Sequence, residues 1–292
     1  MMKITGATEI YGIVGHPVEH SLSPLIQNAA FQGLGLDGCY LAFDVKPRDL
    51  KKAVQGLAAL GVKGLNVTIP HKEAAIALLD KVTSDAARIG AVNTIVIRQG
   101  RLIGYNTDGP GFVQAFNEEA GVPLTGKRVL LLGAGGAARS VAYHLAREGV
   151  KRVVIINRTL PRAKRLVRDF EMRFEKVDWV AKVLSSRIWP LIFRDGMDVI
   201  INATPIGMRP VDPVLIPARY LTKDQVVCDL IYRPVKTRLL EEAEAAGAKT
   251  VNGLGMLLHQ GVLAFELWTG EKPPIVLLRD AMENWLHSFS RS

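Results

Sequence analysis

The chain has 292 residues, 48% hydrophobic and 22% charged, a balance that excludes a mostly disordered protein and suits two domains with a core each. No apolar run reaches the ~18 residues of a membrane span, the N-terminus has no apolar leader core, and Cys39 and Cys228 stand far apart without metal-ligand spacing. The expectation is a cytoplasmic protein, monomer or homodimer, with no membrane partner and no metal. The net charge is +9, and residues 151–200 hold 12 Lys and Arg against 6 Asp and Glu. Without a polybasic tail or an aromatic-interleaved basic run, nucleic acid is not expected, and either a solvated basic surface or a local phosphate-bearing ligand fits the excess.

The first third alternates short β-branched runs with helical ones. Strands are predicted at 10–14, 40–44 and 64–69, and helices at 24–34, 49–60 and 71–79. The runs 92–97 and 102–106 read as a strand pair turning at Gln99-Gly100. Helices between strands predict a mainly parallel sheet covered on both faces. A helix at 110–120 connects to a second series, with strands at 128–132, 153–157, 199–202 and 226–229 and a helix at 136–147. Helices at 254–268 and 275–285 close the chain, and 170–194 matches no usable pattern. The predicted fold class is α/β with two α/β domains, over 1–115 and 116–250, the second of Rossmann type, and C-terminal helices of 251–292 returning to the first domain.

Gly133-Ala134-Gly135-Gly136-Ala137-Ala138 follows an apolar strand directly and opens a helix. The run matches G-x-G-x-x-A. The first Gly permits the tight turn, the second lets backbone approach a pyrophosphate, and Ala138 keeps helix close to strand. The helix N-terminus offers free N–H groups and positive dipole to phosphates. Cofactor choice is read at the end of the next strand, where an NAD enzyme usually places Asp or Glu for the ribose 2′-hydroxyl. This chain has Asn157-Arg158-Thr159 and then Arg162. A guanidinium pairs with a 2′-phosphate that a carboxylate would repel, so NADP is the predicted cofactor.

Four polar clusters fall at strand ends or helix starts of the first domain. In His20-Ser21-Leu22-Ser23-Pro24, Ser23 is a natural N-cap, and two serines at a helix start also suit a carboxylate. In Asn66-Val67-Thr68-Ile69-Pro70-His71-Lys72, Asn66 and Thr68 share a face, and Lys72 is expected in a first helical turn, where the dipole disfavours an ammonium. Asn93, inside an apolar strand, needs buried partners, either backbone groups or ligand hydroxyls. In Asn106-Thr107-Asp108-Gly109-Pro110-Gly111, Asp108 reads equally as a helix cap or as the proton-transfer partner of a lysine.

Taken together and in order, the motifs S-x-S-P, N-V-T-x-P-x-K, G-A-V-N-T, N-T-D-G-x-G, G-A-G-G-A, N-R-T, N-x-T-P-x-G-M and G-L-G-M-L-x-x-Q make the chain resemble the shikimate dehydrogenase family along nearly its whole length. The resemblance implies NADPH-dependent reduction of 3-dehydroshikimate to shikimate, a step toward chorismate and the aromatic amino acids. It implies Lys72 and Asp108 as the catalytic pair, and Ser21 and Ser23 on the substrate carboxylate. Asn66, Thr68, Asn93, Thr107, Asp108, Tyr232 and Gln260 complete the substrate set. Gly133, Ala134, Gly135, Gly136 and Ala137 would hold pyrophosphate. Asn157, Arg158, Thr159 and Arg162 would hold the adenosine phosphate end, and Thr204, Leu230 and Gly253 the nicotinamide side. The nearest alternative is the quinate/shikimate branch, which often accepts NAD; the Asn157-Arg158-Thr159 run argues against it. A non-catalytic ligand-sensing protein on the same fold is more remote, because both Lys72 and Asp108 are kept.

Overall fold

The computed structural model describes residues 3–289. It divides into two compact units, one of Met1–Gly111 with Leu258–Ser292 and one of Phe112–Leu257. Among the described residues no helix is long and apolar enough to cross a membrane.

The first unit runs β1 (Glu9–Gly15), α1 (Ser23–Leu34), β2 (Gly38–Asp44), α2 (Leu50–Ala59), β3 (Gly64–Val67), β4 (Lys81–Val82), α3 (Ser84–Ile89), β5 (Thr94–Arg98) and β6 (Arg101–Tyr105). These strands form one sheet in the order β2-β1-β3-β5-β6-β4. β2 and β3 flank β1 in parallel, while β5 is antiparallel to both β3 and β6. The reversal is local. Gln99 (φ 50°) and Gly100 (φ 74°) make the two-residue turn that joins β5 to β6, and two successive positive φ values are what a tight hairpin demands. The carboxyl ends of β1, β3 and β6 and the amino end of β5 therefore share one edge of the sheet.

The expected helix at 71–79 is not formed. The segment is a turn followed by a 3-10 helix, Ala74–Leu78. The cause is a competing bond: the Lys72 carbonyl accepts the Val92 N–H at 2.8 Å and so leaves any helical ladder. Lys72 thus has no helix dipole behind it. Ser23 also departs from expectation. It is the first residue of α1 rather than its cap, Leu22 holds the cap position, and no side chain caps the end.

The second unit starts within α4 (Asp108–Glu119). It continues through β7 (Arg128–Leu132), α5 (Gly136–Arg147), β8 (Arg152–Asn157), α6 (Leu160–Glu171), β9 (Asp178–Val183), α7 (Trp189–Arg194), β10 (Val199–Asn202), β11 (Val226–Asp229), α8 (Arg238–Ala245) and β12 (Lys249–Val251). All six strands are parallel, in the order β12-β11-β10-β7-β8-β9. β7, β8, β10 and β11 are almost wholly apolar because helices cover both faces of such a sheet. The strand order reverses between β7 and β10, the doubly wound arrangement that opens a crevice at the carboxyl ends of those strands.

α9 (Gly253–Thr269) leads back into the first unit, and α10 (Ile275–Phe289) packs on α1. Trp268 is the anchor of α9. Its ring lies 5.5 Å from Tyr11 and 5.9 Å from Tyr40, its indole N–H donates to Ile95 O at 3.0 Å, and only a glycine, Gly64, leaves room for it. Trp268→Ala is expected to cost about 3–5 kcal/mol, the usual range for a buried aromatic. The check is the urea midpoint of the first unit; an unchanged midpoint would take Trp268 out of its core.

Candidate active site

The shared edge of the first sheet gathers side chains from four elements. Thr68 continues β3, its N–H donating to Val14 O at 2.9 Å. His71, buried, donates from Nε2 to Val45 O at 2.7 Å and pins the turn that carries Lys72. Lys72 Nζ pairs with Asp108 Oδ2, and the two side chains are only 14% and 5% exposed. Asp108 opens α4, where its N–H is taken by Asn106 Oδ1 at 3.1 Å. So Asp108 does not cap the helix; its carboxylate is free for Lys72.

Asn93 organises the rest. Its Nδ2 approaches Thr107 Oγ1 at 2.8 Å, Asp108 Oδ1 at 2.9 Å and Gln260 Oε1 at 3.3 Å. An amide has two hydrogens for these three acceptors, so the longest, Gln260, is the one most open to exchange for a ligand. Asn93 Oδ1 accepts from Thr107 N at 2.8 Å and from Thr94 Oγ1 at 3.0 Å. Below it Asn66 is fully engaged as a donor, to Asn93 O at 3.1 Å and Thr94 Oγ1 at 3.2 Å, and it accepts from Tyr40 OH at 2.7 Å. Asn66 therefore faces protein more than ligand. At the start of α1, Ser21 Oγ accepts the Ser23 N–H at 3.2 Å. The hydroxyls of Ser23 and Thr68 have no protein partner among the described residues.

Gln260 lies mid-way along apolar α9, and nothing local in the sequence marks it. The signal that could have found it is Gly111. A Cβ there would come within 2.7 Å of the Gln260 backbone N, so α4 and α9 cross in contact. The resemblance named Gln260, whereas Thr94 and His71 were missed; both lie inside apolar or turn segments and acquire their role only from neighbours distant in sequence.

In the second unit, Gly133 ends β7 with φ 110°, and its N–H donates to Ile156 O at 2.8 Å. The turn fits a dinucleotide by three local tests. Space at Gly135 is open, with no heavy atom within 4 Å of where a Cβ would sit. No side chain caps the N-terminus of α5, so its first amides remain for phosphate oxygens. Ala138 is fully buried where helix meets strand. Ala134, Gly136 and Ala137 lie in the same turn. At the end of β8, Asn157 Nδ2 donates to Thr159 O at 2.9 Å, and Arg158, Thr159 and Arg162 are exposed. Arg158 pairs with no carboxylate among the described residues. Thr204 follows β10, with Oγ1 donating to Asn202 Oδ1 at 2.7 Å. Leu230 and the half-buried Tyr232 follow β11. Gly253, at the start of α9, is so close that a Cβ would meet Leu230 O at 2.3 Å.

Three family models match the chain: the shikimate dehydrogenase substrate binding domain over 13–95, shikimate/quinate 5-dehydrogenase over 116–204, and the shikimate 5′-dehydrogenase C-terminal domain over 253–283. The chain is 50% identical to shikimate dehydrogenase (NADP(+)) of Methanopyrus kandleri, over 96% of this chain and 97% of that one. The chain belongs to the shikimate dehydrogenase family. Among solved family members, a shikimate dehydrogenase in complex with NADP+ superposes with a TM-score of 0.87 at 45% identity, covering 97% of each chain. The Thermus thermophilus enzyme in complex with NADP(H) and shikimate gives 0.83 at 40% identity, covering 95% of this chain and 99% of that one. As a member of the shikimate dehydrogenase family the chain is an oxidoreductase, and NADP is its cofactor.

One titratable group in the second unit lies outside every expected set. Burial pushes the Asp229 carboxyl up to about 6, although the Thr237 hydroxyl, the Ile231 amide and the Asn202 amide all donate to it and pull the other way. The folded protein thus holds this proton more tightly than the unfolded chain. Its stabilising effect is complete below pH ~4 and is lost as pH rises to about 6, an order of 3 kcal/mol. Asp229→Asn removes the titration. Stability of the wild type relative to this variant should fall across that window and stay level above it, as followed by denaturant unfolding at several pH values; parallel profiles would refute the shift.

Proposed function

We propose that the chain interconverts 3-dehydroshikimate and shikimate, with the first unit holding the substrate and the second the cofactor. The observation that carries this reading is the nearly buried Lys72–Asp108 pair, joined through Asn93 to Gln260 on one edge of the first sheet. Ser21 and Ser23 take the substrate carboxylate, at a helix start whose hydroxyls and amides suit an anion. Thr68, Asn93, Asp108 and Gln260 take the ring hydroxyls, and Asn66 and Thr107 hold Asn93 in place.

When bound, NADPH supplies the hydride. Negative charge then grows on the ketone oxygen, and Lys72 Nζ stabilises that oxygen and gives it a proton. In the oxidative direction Lys72 takes the hydroxyl proton back. Asp108 keeps the ammonium aimed and accepts a hydrogen bond from a neighbouring substrate hydroxyl. Both ions sit where water is scarce, which strengthens each contact they make. Gly133 to Ala137 carry the pyrophosphate on backbone amides. Arg158, with Asn157, Thr159 and Arg162, takes the 2′-phosphate, and Thr204, Leu230 and Gly253 line the nicotinamide end.

The test is absorbance at 340 nm with shikimate and quinate, each with NADP and NAD. Shikimate with NADP should give the fastest rise, and no rise would end the reading. Lys72→Ala should lower kcat about 10²–10⁴-fold, the range of a positioned acid–base group, with a smaller change in the KM for shikimate.

Arg158→Ala tests the cofactor half. A charge-assisted pair of roughly 1.5–3 kcal/mol converts to a rise of about 10–150-fold in the KM for NADP. NAD lacks the phosphate and should change far less. Equal losses with both cofactors would mean that the end of β8 does not read the phosphate.

A further inference from the structure

The carboxyl ends of β10 and β11 share a closed set of hydrogen bonds that none of the roles above uses. Asn202 and Asp229 are register partners, 0% and 1% exposed. Asp229 Oδ1 accepts from Asn202 Nδ2 and from Ile231 N, both at 3.0 Å, and Oδ2 accepts from the Thr237 hydroxyl at 2.7 Å. Asn202 gives its other hydrogen to Ile206 O at 3.0 Å and accepts from Thr204 N at 3.0 Å. Thr237 in turn caps α8, accepting from Leu240 N at 3.4 Å. A buried set satisfied in this way has one arrangement, since any other strands a polar group without water.

The set grips the backbone of two segments, 203–207 after β10 and 230–231 after β11. The first borders the dinucleotide turn, and the second packs against the first and against the start of α9. A Cβ on Gly133 would lie 2.9 Å from Ala203 O, one on Gly207 3.3 Å from Ile231 Cδ1, and one on Gly253 2.3 Å from Leu230 O. The 203–207 turn stands at the β7/β10 switch point, where an open sheet takes its ligand, and 230–231 follows the neighbouring strand β11. The adenosine phosphate residues follow β8, on the other side of β7.

We propose that Asp229 is a positioning residue: acting through Asn202 and Thr237, it sets the 203–207 turn and the 230–231 segment in the geometry that holds the nicotinamide end of NADP. This rests on the second unit being the NADP site. A carboxylate is a costly group to bury for packing alone. Here it supplies what an apolar side chain cannot, three acceptor contacts converging from two loops and a helix cap.

The experiment uses the full chain with Asp229→Ala, Asp229→Asn, Thr237→Val and Thr237→Ser. It reads kcat for shikimate oxidation at saturating NADP, and the dissociation constants of NADP and of 2′,5′-ADP, which carries the adenosine end alone. Asp229→Asn and Thr237→Val should lower kcat about 10–100-fold, the scale of a ~1 Å misplacement, and weaken NADP. Affinity for 2′,5′-ADP should stay within about twofold, since that end is bound at a separate place. Thr237→Ser keeps the hydroxyl and should keep the wild-type kcat. Asp229→Asn and the two Thr237 variants decide the matter if Asp229→Ala does not fold. Unchanged kcat in folded Asp229→Asn and Thr237→Val overturns the proposal. So does equal loss in Thr237→Ser and Thr237→Val, or parallel loss of 2′,5′-ADP, which marks general damage. A wild type that fails to bind 2′,5′-ADP overturns instead the reading of the NADP site itself, and the proposal falls with it.

Discussion

Two opposite charges, the Lys72 ammonium and the Asp108 carboxylate, share a place nearly closed to water, and much of the first unit serves to make that tolerable. Burying such ions costs several kcal/mol each unless their remaining hydrogen-bonding capacity is also met. On the carboxylate side the protein meets it: Asn93 covers the second Asp108 oxygen. On the other side a backbone bond from Val92, one residue before Asn93, to the Lys72 carbonyl fixes the turn that carries the ammonium. Removing either ion would leave the other uncompensated, a loss of about 3–5 kcal/mol in a typical interior. The pair is thus a constraint on β3, β5 and β6 together, and it explains why the hairpin reverses β5: only then does the amino end of β5, with Asn93, reach the edge where β3 and β6 deliver Lys72 and Asp108.

The second unit solves a similar problem with backbone. A parallel sheet points its strand ends, and the amides of the helices that follow, at one crevice, so phosphate needs little more than small residues and free N–H groups. Gly133 has to be glycine for two separate reasons, its φ of 110° and the Ala203 carbonyl beneath it. At Asn202 and Asp229 buried polar side chains bind the backbone of the loops that follow β10 and β11.

What could be read from the amino-acid sequence follows the range of the forces involved. The G-x-G-x-x-A turn, the apolar run of β7 and the hairpin at Gln99-Gly100 are local, each set by a few neighbouring residues, and each was legible. The helix expected at 71–79 failed because a bond from Val92 captured the Lys72 carbonyl from twenty residues away. Ser23 looked like a cap because Pro24 follows it, yet the helix starts one residue earlier than that pairing implies. β9 escaped prediction because it is an edge strand with no fully buried residue, and so lacks a regular apolar pattern. Gln260 reads as one polar residue in an apolar helix; its place beside Asn93 depends on a contact spanning 167 residues. Asp229 likewise reads as a strand end until Asn202 and Thr237 are brought to it. The resemblance to a family supplied Gln260, but it carried no role for Asp229.

The basic excess of 151–200 has a physical place in this arrangement. α6 buries Ala163, Leu166, Val167 and Phe170, which turns Arg162, Lys164, Arg165 and Arg168 toward water. The helix starts directly after Asn157-Arg158-Thr159, so a fixed positive field spreads from the position assigned to the 2′-phosphate. Such a field acts on a multiply charged cofactor before any contact is made, raising the rate of encounter, and it weakens within about 10 Å at 0.1 M salt. Contact specificity and long-range attraction then separate by residue. In the proposed site Arg158 would discriminate between cofactors by touching the phosphate, whereas the outward face of α6 would favour any polyanion alike. The basic excess of 151–200 would on this account act on the rate of cofactor encounter.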